Sequence, residues 1–123
     1  MVTQAETHTI PRSGWKQFFN SLSRIYQGER ASLEILRPDA GAQFEVEDQP
    51  FAGASYDSSG IELNFTIRGG HFGHRIAQPR SVQIEENEAG LAAAINIDSD
   101  DDPRAVLHLH APQASKLLTA GTE

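Results

Sequence analysis

The chain contains no cysteine among its 123 residues. Disulfide bonds, catalysis by a thiolate and zinc sites built from cysteine are therefore excluded. The sequence also has no apolar run near the roughly 20 residues that a membrane-spanning helix needs. Residues 1–9 are polar and lack the apolar segment of a secretory signal. From these absences we expect a cytoplasmic protein with no membrane partner.

Positive charge is scarce and scattered along the chain. Ten Lys and Arg residues stand against 17 Asp and Glu residues, which gives a net charge of -7 with His counted as neutral. Because no basic stripe offsets this acidity, the composition argues against DNA and RNA as partners. The length fits one domain with a modest core.

The spacing of the hydrophobic residues changes near Gly28. Before it, apolar residues recur at helical spacing and predict an amphipathic helix over about 14–27, with Ser13 as its N-cap. Gly28 stands where a left-handed residue would end that helix. After it, apolar and polar residues mostly alternate, which predicts short antiparallel strands joined by polar turns. The predicted class is α+β, mainly β: one N-terminal helix packed on a curved antiparallel sheet or small open barrel.

The two ends of the chain differ in composition from its middle. Both are polar and rich in small residues. We therefore predict a disordered lead-in over residues 1–9, a single helix-plus-sheet domain over 10–111 and a disordered tail over 112–123. The predicted strands cover 31–36, 42–48, 51–56, 61–68, 72–76, 82–85, 91–97 and 105–111.

Four histidines form two pairs that are candidates for metal binding. His71 and His74 lie in one segment, and His108 and His110 lie in another. Imidazole is the commonest metal ligand, and strand alternation places His108 and His110 on one face. If the pairs met in space they could hold a divalent zinc, nickel or copper ion. The alternative is that all four are solvent-facing histidines at strand ends, with no cofactor.

The most unusual segment is the glycine-rich stretch over residues 69–73. Loops on a rigid scaffold often carry binding sites, so Gly69, Gly70 and Phe72 are candidates for contact with a small ligand. The stretch does not have the pattern of a phosphate-binding loop, because no helical pattern and no P-loop lysine follow it.

Two acidic segments are better explained as turns than as sites. Residues 98–103 carry the carboxylates that calcium prefers, but they lack the glycine and the final glutamate of an EF-hand loop. Residues 85–88 lie in a polar stretch that offers neither the burial nor the close charge that a catalytic carboxylate needs. We assign no catalytic residue, which leaves enzyme activity undecided but disfavoured.

The opening of the predicted domain resembles that of a small bacterial family known only as a domain of unknown function. The similar residues are Ile-Pro-Arg-Ser-Gly-Trp at 10–15, Phe18-Phe19, Ser23-Arg24, Leu33-Glu34, Gly41-Ala42-Gln43 and the later Gly-Gly-His. The resemblance covers about residues 10–111, and Gly14 replaces an acidic residue of the family's opening. It implies a one-domain, bacterial, helix-plus-sheet protein, and it implies no activity, substrate or catalytic residue.

The order of a helix followed by strands is also similar to that of Sm-like small barrels. Those barrels bind RNA as rings through basic and aromatic loop residues. The acidic composition of this chain gives no support for carrying that function over, since a shared fold does not imply a shared activity.

Two functions from different classes remain open. The first is a non-enzymatic protein-interaction or self-association module that uses a sheet edge or an aromatic patch, with a protein or a second copy as its partner. It predicts a mass that rises with concentration and no bound ion. The alternative is a metal- or small-ligand-binding protein that uses the two histidine pairs and the glycine-rich loop. It predicts that the purified protein contains a stoichiometric transition metal, and that His108→Ala and His110→Ala would each lower the affinity for that metal.

Overall fold

One helix packs against an eight-stranded antiparallel sheet in the computed structural model, which describes residues 6–111. The described elements, in chain order, are β1 (Glu6–Ile10), a 3-10 turn (Arg12–Gly14), α1 (Trp15–Tyr26), β2 (Arg30–Arg37), β3 (Gly41–Asp57), β4 (Gly60–Ile67), β5 (Gly70–Ile76), β6 (Pro79–Glu86), β7 (Ala92–Ser99) and β8 (Arg104–Leu109). The sheet is not closed into a barrel. The predicted fold class is confirmed.

The strands of the described sheet follow the order β1-β6-β7-β8-β2-β3-β4-β5. Strands β2 to β5 form one meander and β6 to β8 form another. The two meanders join where β8 pairs with β2, from Ala31↔Leu109 to Leu36↔Arg104. Strands β1 and β5 therefore form the two edges of this sheet.

The structure corrects the predicted disordered lead-in over residues 1–9. Residues Glu6–Ile10 form β1 and pair with β6 without interruption, from Glu6↔Glu86 to Ile10↔Val82. The strand escapes sequence reasoning because four of its five residues are polar and no apolar alternation marks it. Residues 1–5 and the predicted disordered tail, 112–123, lie outside the described residues.

The amphipathic stripe of α1 is buried as its spacing predicts. Its core-facing side chains are each at most 4% exposed: Trp15, Phe19, Leu22 and Tyr26. Gly28 adopts a φ of 87°, the left-handed conformation expected just after a helix. This stripe packs with the inner face of the sheet into one continuous core.

The start of α1 differs from the prediction. Ser13 lies in the 3-10 turn, Gly14 holds the N-cap position, and neither supplies a side-chain cap. The indole Nε1 of Trp15 instead donates a hydrogen bond of 2.8 Å to the carbonyl of Ile10. The helix is therefore tied to the end of β1 by a buried aromatic side chain.

Strand β3 is continuous over 17 residues, where the sequence predicts two strands separated near Gln49-Pro50. Its pairing with β2 and β4 shifts register three times, and Asp48 adopts a positive φ of 55°. Bulges of this kind bend a strand and increase its twist. They allow one strand to take part in both halves of the sheet and curve the sheet around α1.

Helix α1 covers the edge of β3 beyond the point where β2 leaves it. The Ser23 hydroxyl oxygen accepts a hydrogen bond of 2.8 Å from the Ala54 amide. The same oxygen lies 2.8 Å from the Ala54 carbonyl and 2.8 Å from the Phe19 carbonyl. Gly53, next to Ala54, adopts a φ of +148°, a backbone conformation that favours glycine. The Ser23 hydroxyl thus contacts the two backbone groups of Ala54 that a neighbouring strand would otherwise bond.

Candidate functional site

The glycine-rich segment forms the turn between β4 and β5. The register runs from Ile61↔Ile76 to Ile67↔Gly70, which leaves Arg68 and Gly69 as the two turn residues. Gly69 has a φ of 73°, a conformation that favours glycine. The turn geometry therefore accounts for Gly69 without a ligand.

The three predicted ligand contacts separate in the structure. Gly69 and Gly70 are exposed at the turn, whereas Phe72 is half-buried on the inner face. The Phe72 ring lies 6.5 Å from the ring of Phe65 and packs against the core. Contact of these residues with a small ligand stays a prediction.

The structure keeps the two histidine pairs apart. His71 and His74 lie on β5, His108 lies on β8, and His110 follows β8. Strands β2, β3 and β4 lie between β5 and β8 in the sheet. His71 and His74 also point to opposite faces, because adjacent positions on a strand alternate and these two are three residues apart.

Each of the four histidines has a nearby polar partner. The distances are 2.7 Å for His71 Nε2 to Asn64 Oδ1, 3.1 Å for His74 Nδ1 to Glu45 Oε1, 2.8 Å for His108 Nε2 to Glu34 Oε1 and 3.9 Å for His110 Nε2 to Asp48 Oδ1. Within residues 6–111, no group of three or more His, Cys, Asp or Glu side chains is placed to hold a metal ion. Metal binding by these histidines stays a prediction.

An exposed aromatic side chain lies on the outer face of the sheet. Phe44 on β3 is 50% exposed, although it belongs to a residue type that is usually buried. Its ring lies 5.9 Å from that of His108, which bonds Glu34 on the intervening strand. The three side chains form a small mixed patch across β3, β2 and β8.

The edge strand β5 is the longer of the two edges. It spans seven residues against five in β1, and its pairing with β4 contains no register shift. The strand contains no proline and no lysine, two residues by which sheets often protect their edges. Arg75 is its one Arg, and that side chain is held by Ser59 and Glu62.

A polar pocket of about 210 Å³ lies where the turn between β3 and β4 approaches the start of β6. Its lining includes Arg12, whose guanidinium donates to the Tyr56 hydroxyl at 3.3 Å and to the Pro79 carbonyl at 3.0 Å. The same guanidinium lies 4.3 Å from the Trp15 ring centre. Sequence reasoning missed this pocket, and the signal was the Pro-Arg-x-x-Trp spacing, which places Arg12 one turn before the buried indole.

Three carboxylates of the acidic segment over residues 98–103 bond other groups of the same chain. Arg104 binds both carboxylate oxygens of Asp98, with distances of 2.6 and 3.0 Å. These hydrogen bonds and the positive charge hold the pKa of Asp98 below its ordinary value. Asp102 accepts a hydrogen bond from the Ala77 amide, and Asp100 pairs with Arg80.

An apolar pocket of about 220 Å³ lies between α1 and the hairpin of β6 and β7. Phe18 and Ile25 line it from the helix, and Leu91 and Ala92 line it from the start of β7. Burial raises the pKa of the Tyr26 hydroxyl at its base, and that hydroxyl donates to the Ala92 carbonyl at 2.8 Å. The pocket is thus a gap left between two packed elements.

Comparison with known proteins identifies the family. The model of a family of unknown function, DUF5335, matches residues 6–117. The chain belongs to this family. The resemblance inferred from the residues of the opening is therefore confirmed at the level of an uncharacterised bacterial domain family.

A relative of this chain is likewise uncharacterised. An uncharacterized protein from Aquifex aeolicus (strain VF5) is 30% identical over 103 residues, which cover 84% of this chain and 91% of that protein. No solved structure matches. Among residues 6–111, no helix has the length and apolar character needed to cross a membrane.

Proposed function

We propose that this domain is a non-enzymatic self-association module that adds a strand from a second copy to the open edge at β5. The proposal rests on the position of β5 at the edge of the described sheet. Seven regular residues, Gly70–Ile76, pair with β4 on one side, and no strand of residues 6–111 pairs with them on the other. Edges of this kind are ready templates for pairing with another chain.

The register tells which backbone groups an added strand would meet. Pairs that exchange hydrogen bonds alternate with pairs that do not along an antiparallel ladder. The pair Ile67↔Gly70 closes a two-residue turn and is therefore a hydrogen-bonded pair. It follows that the N–H and C=O groups of His71, Gly73 and Arg75 point away from β4.

Strand addition would satisfy these outward groups with main-chain hydrogen bonds. Gly73 has no side chain of its own to obstruct an added strand at the edge, and the side chains of Asn64 and Glu62 reach over it on the outer face. The other edge supports the proposal less well, since β1 is shorter and Pro11 follows it directly.

The experiment compares two substitutions at one position, His71→Pro and His71→Ala. Both remove the imidazole and its contact with Asn64, but only proline also removes the outward N–H. Proline is tolerated on an edge strand where the lost N–H faces away from the sheet. Light scattering over a range of concentrations measures the mass, and circular dichroism checks the fold.

The proposal predicts a mass that rises with concentration for the natural chain and for His71→Ala, and the mass of one chain for folded His71→Pro. A single-chain mass for the natural protein at every concentration would contradict self-association. Equal association of all three proteins would place the interface elsewhere.

A further inference from the structure

The polar pocket beside Arg12 contains a guanidinium group that the fold holds in place through three contacts. Its central carbon lies 4.3 Å from the centre of the Trp15 ring, and its N–H groups donate to the Tyr56 hydroxyl at 3.3 Å and to the Pro79 carbonyl at 3.0 Å. Fixing a side chain as long as arginine costs conformational entropy. A binding group that is already fixed therefore loses less freedom when a ligand arrives.

Arg12 keeps the capacity to bond a ligand. A guanidinium offers more N–H groups than the hydrogen bonds to Tyr56 and Pro79 use. Arg75 and Arg80 each pair with a carboxylate, whereas Arg12 has no such partner among the described residues. The positive charge of Arg12 is thus available to an anionic group in the pocket.

The Tyr56 hydroxyl adds a second donor next to Arg12. Its oxygen accepts the hydrogen bond from Arg12, which leaves its own proton for another acceptor. Both residues line the pocket, and the Tyr56 ring is fixed by an edge-on contact of 5.1 Å with the Trp15 ring. A planar guanidinium beside a hydroxyl donor suits the two oxygens of a carboxylate.

The lining of the pocket also includes two carboxylates, Asp57 and Asp100. The hydroxyl and the amide of Ser59 donate to Asp57 Oδ1 at 2.6 and 2.8 Å, and these hydrogen bonds hold the pKa of Asp57 below its ordinary value. Asp100 is paired with Arg80 at 3.0 Å. A charged carboxylate can accept a hydrogen bond from a hydroxyl or ammonium group of a ligand. The same negative charge disfavours a doubly charged anion such as phosphate.

The backbone of the pocket is held in an uncommon conformation at Gln78. Its φ is 50°, in the left-handed region that residues other than glycine rarely adopt. A residue before proline ordinarily prefers an extended backbone, and Pro79 follows Gln78. The Gln78 carbonyl accepts the Asp100 amide at 3.1 Å, which helps to hold this conformation. Strained residues of this kind cluster at binding sites, and Gln78 lines the pocket with a carboxamide that can donate and accept.

The volume of the pocket limits the size of a ligand. About 210 Å³ is available, which is less than the roughly 300–1,000 Å³ of sites for drug-sized molecules. We propose that this pocket binds a small carboxylate that carries a hydroxyl or ammonium group beside it. The carboxylate oxygens accept from Arg12 and Tyr56, and the second group donates to Asp57 or Gln78. This site is independent of strand addition at β5.

The test uses the single Trp of the chain, Trp15, as a reporter, because the Arg12 guanidinium lies against its ring. The full chain is titrated with sodium glycolate and with glycine, which differ only in carrying a hydroxyl or an ammonium group. Trp15 fluorescence and the amide resonances of Ser58 and Gln78 are followed. Sodium acetate, which lacks the second group, sodium phosphate and sodium chloride at matched ionic strength are the comparison titrations.

The proposal predicts saturable changes with glycolate or glycine, and the tighter of the two identifies the second group as hydroxyl or ammonium. Arg12→Gln should weaken this binding by about tenfold or more, and Tyr56→Phe should weaken it by roughly two- to tenfold. Tyr56→Phe keeps the ring that packs against Trp15. Arg68→Gln is the matched control, because it removes an exposed guanidinium from the turn between β4 and β5 and should leave binding unchanged. Circular dichroism checks the fold of each variant.

Three results would overturn the proposal. The first is the absence of a saturable change with both glycolate and glycine, or an equal change with sodium chloride. The second is unchanged binding by both Arg12→Gln and Tyr56→Phe, since the ligand would then bind elsewhere. The third is tighter binding of acetate or phosphate than of glycolate and glycine, because the pocket would then select an anion without the second group.

Discussion

The replacement of Ser23 by alanine tests how α1 and β3 are joined. The Ser23 oxygen accepts the Ala54 amide and lies 2.8 Å from the Ala54 carbonyl. Alanine leaves both backbone groups without this partner, and Ala54 is 8% exposed, so that water has little access to them. The Phe19 carbonyl loses less, because carbonyls inside a helix also accept the helical N–H bond.

The expected loss of stability can be worked from these contacts. An unsatisfied buried polar group costs about 1–3 kcal/mol. The substitution leaves two such groups, and the higher helix propensity of alanine offsets up to about 0.5 kcal/mol of their cost. We expect the free energy of unfolding to fall by at least about 1.5 kcal/mol, the lower end of this sum, and Tm to fall by at least roughly 5–9 °C for a chain of this size.

Thermal and urea unfolding measure the effect, with Ser21→Ala as the control. Ser21 lies on the same helix but faces the apolar pocket. Its replacement should change the free energy of unfolding by less than about 0.5 kcal/mol. Equal effects of the two substitutions would show that the loss comes from the helix and not from the contact with Ala54.

Three further predictions concern turns, charge and metal. Gly60→Ala should lower the free energy of unfolding by at least about 2 kcal/mol in chemical unfolding. The φ of Gly60 is +128°, and a Cβ there would lie 2.3 Å from the backbone carbonyl oxygen of Ile76 on the neighbouring strand. A loss below about 1 kcal/mol, the lower limit for backbone strain alone, would contradict this prediction. Asp98→Asn should cost up to about 1 kcal/mol at neutral pH, because the pair with Arg104 is partly exposed. The folded-state pKa of Asp98 is lowered, so its stabilisation is present above the unfolded pKa and is lost as the pH falls through the folded pKa; a difference between the two proteins that persists in acid would contradict the assignment. Elemental analysis of the untagged protein and of its His108→Ala/His110→Ala variant tests for a bound metal. If the domain is an interaction module, neither protein should contain a stoichiometric transition metal. Metal in the natural protein alone would favour a metal-binding function.

The features that were predicted correctly depend on local patterns. The buried stripe from Trp15 to Tyr26 repeats at helical spacing, and Gly28 marks its end, so the helix can be placed from a single segment. Strands β4 and β8 alternate or run apolar over their whole length. By contrast, β1 is polar and becomes a strand because Val82 and its neighbours on β6 offer a partner 72 or more residues away.

The candidate sites were less predictable because they depend on long-range pairing. The sequence places His71 and His108 in similar surroundings, and only the strand order shows that three strands separate them. The same order makes β5 an edge. The pocket at Arg12 depends on a carbonyl at Pro79, a contact across 67 residues that spacing along the chain cannot reveal.

Self-association through β5 requires the outward backbone groups of this strand to bond a second chain. Amide hydrogen exchange on the natural protein, in dilute and in concentrated solution, measures this at single residues. We expect the amides of His71, Gly73 and Arg75 to exchange quickly when the protein is dilute and to become protected when it is concentrated, while Phe72 and His74 change little. Unchanged exchange along β5 at concentrations where the mass has risen would show that the second chain does not bind at this edge.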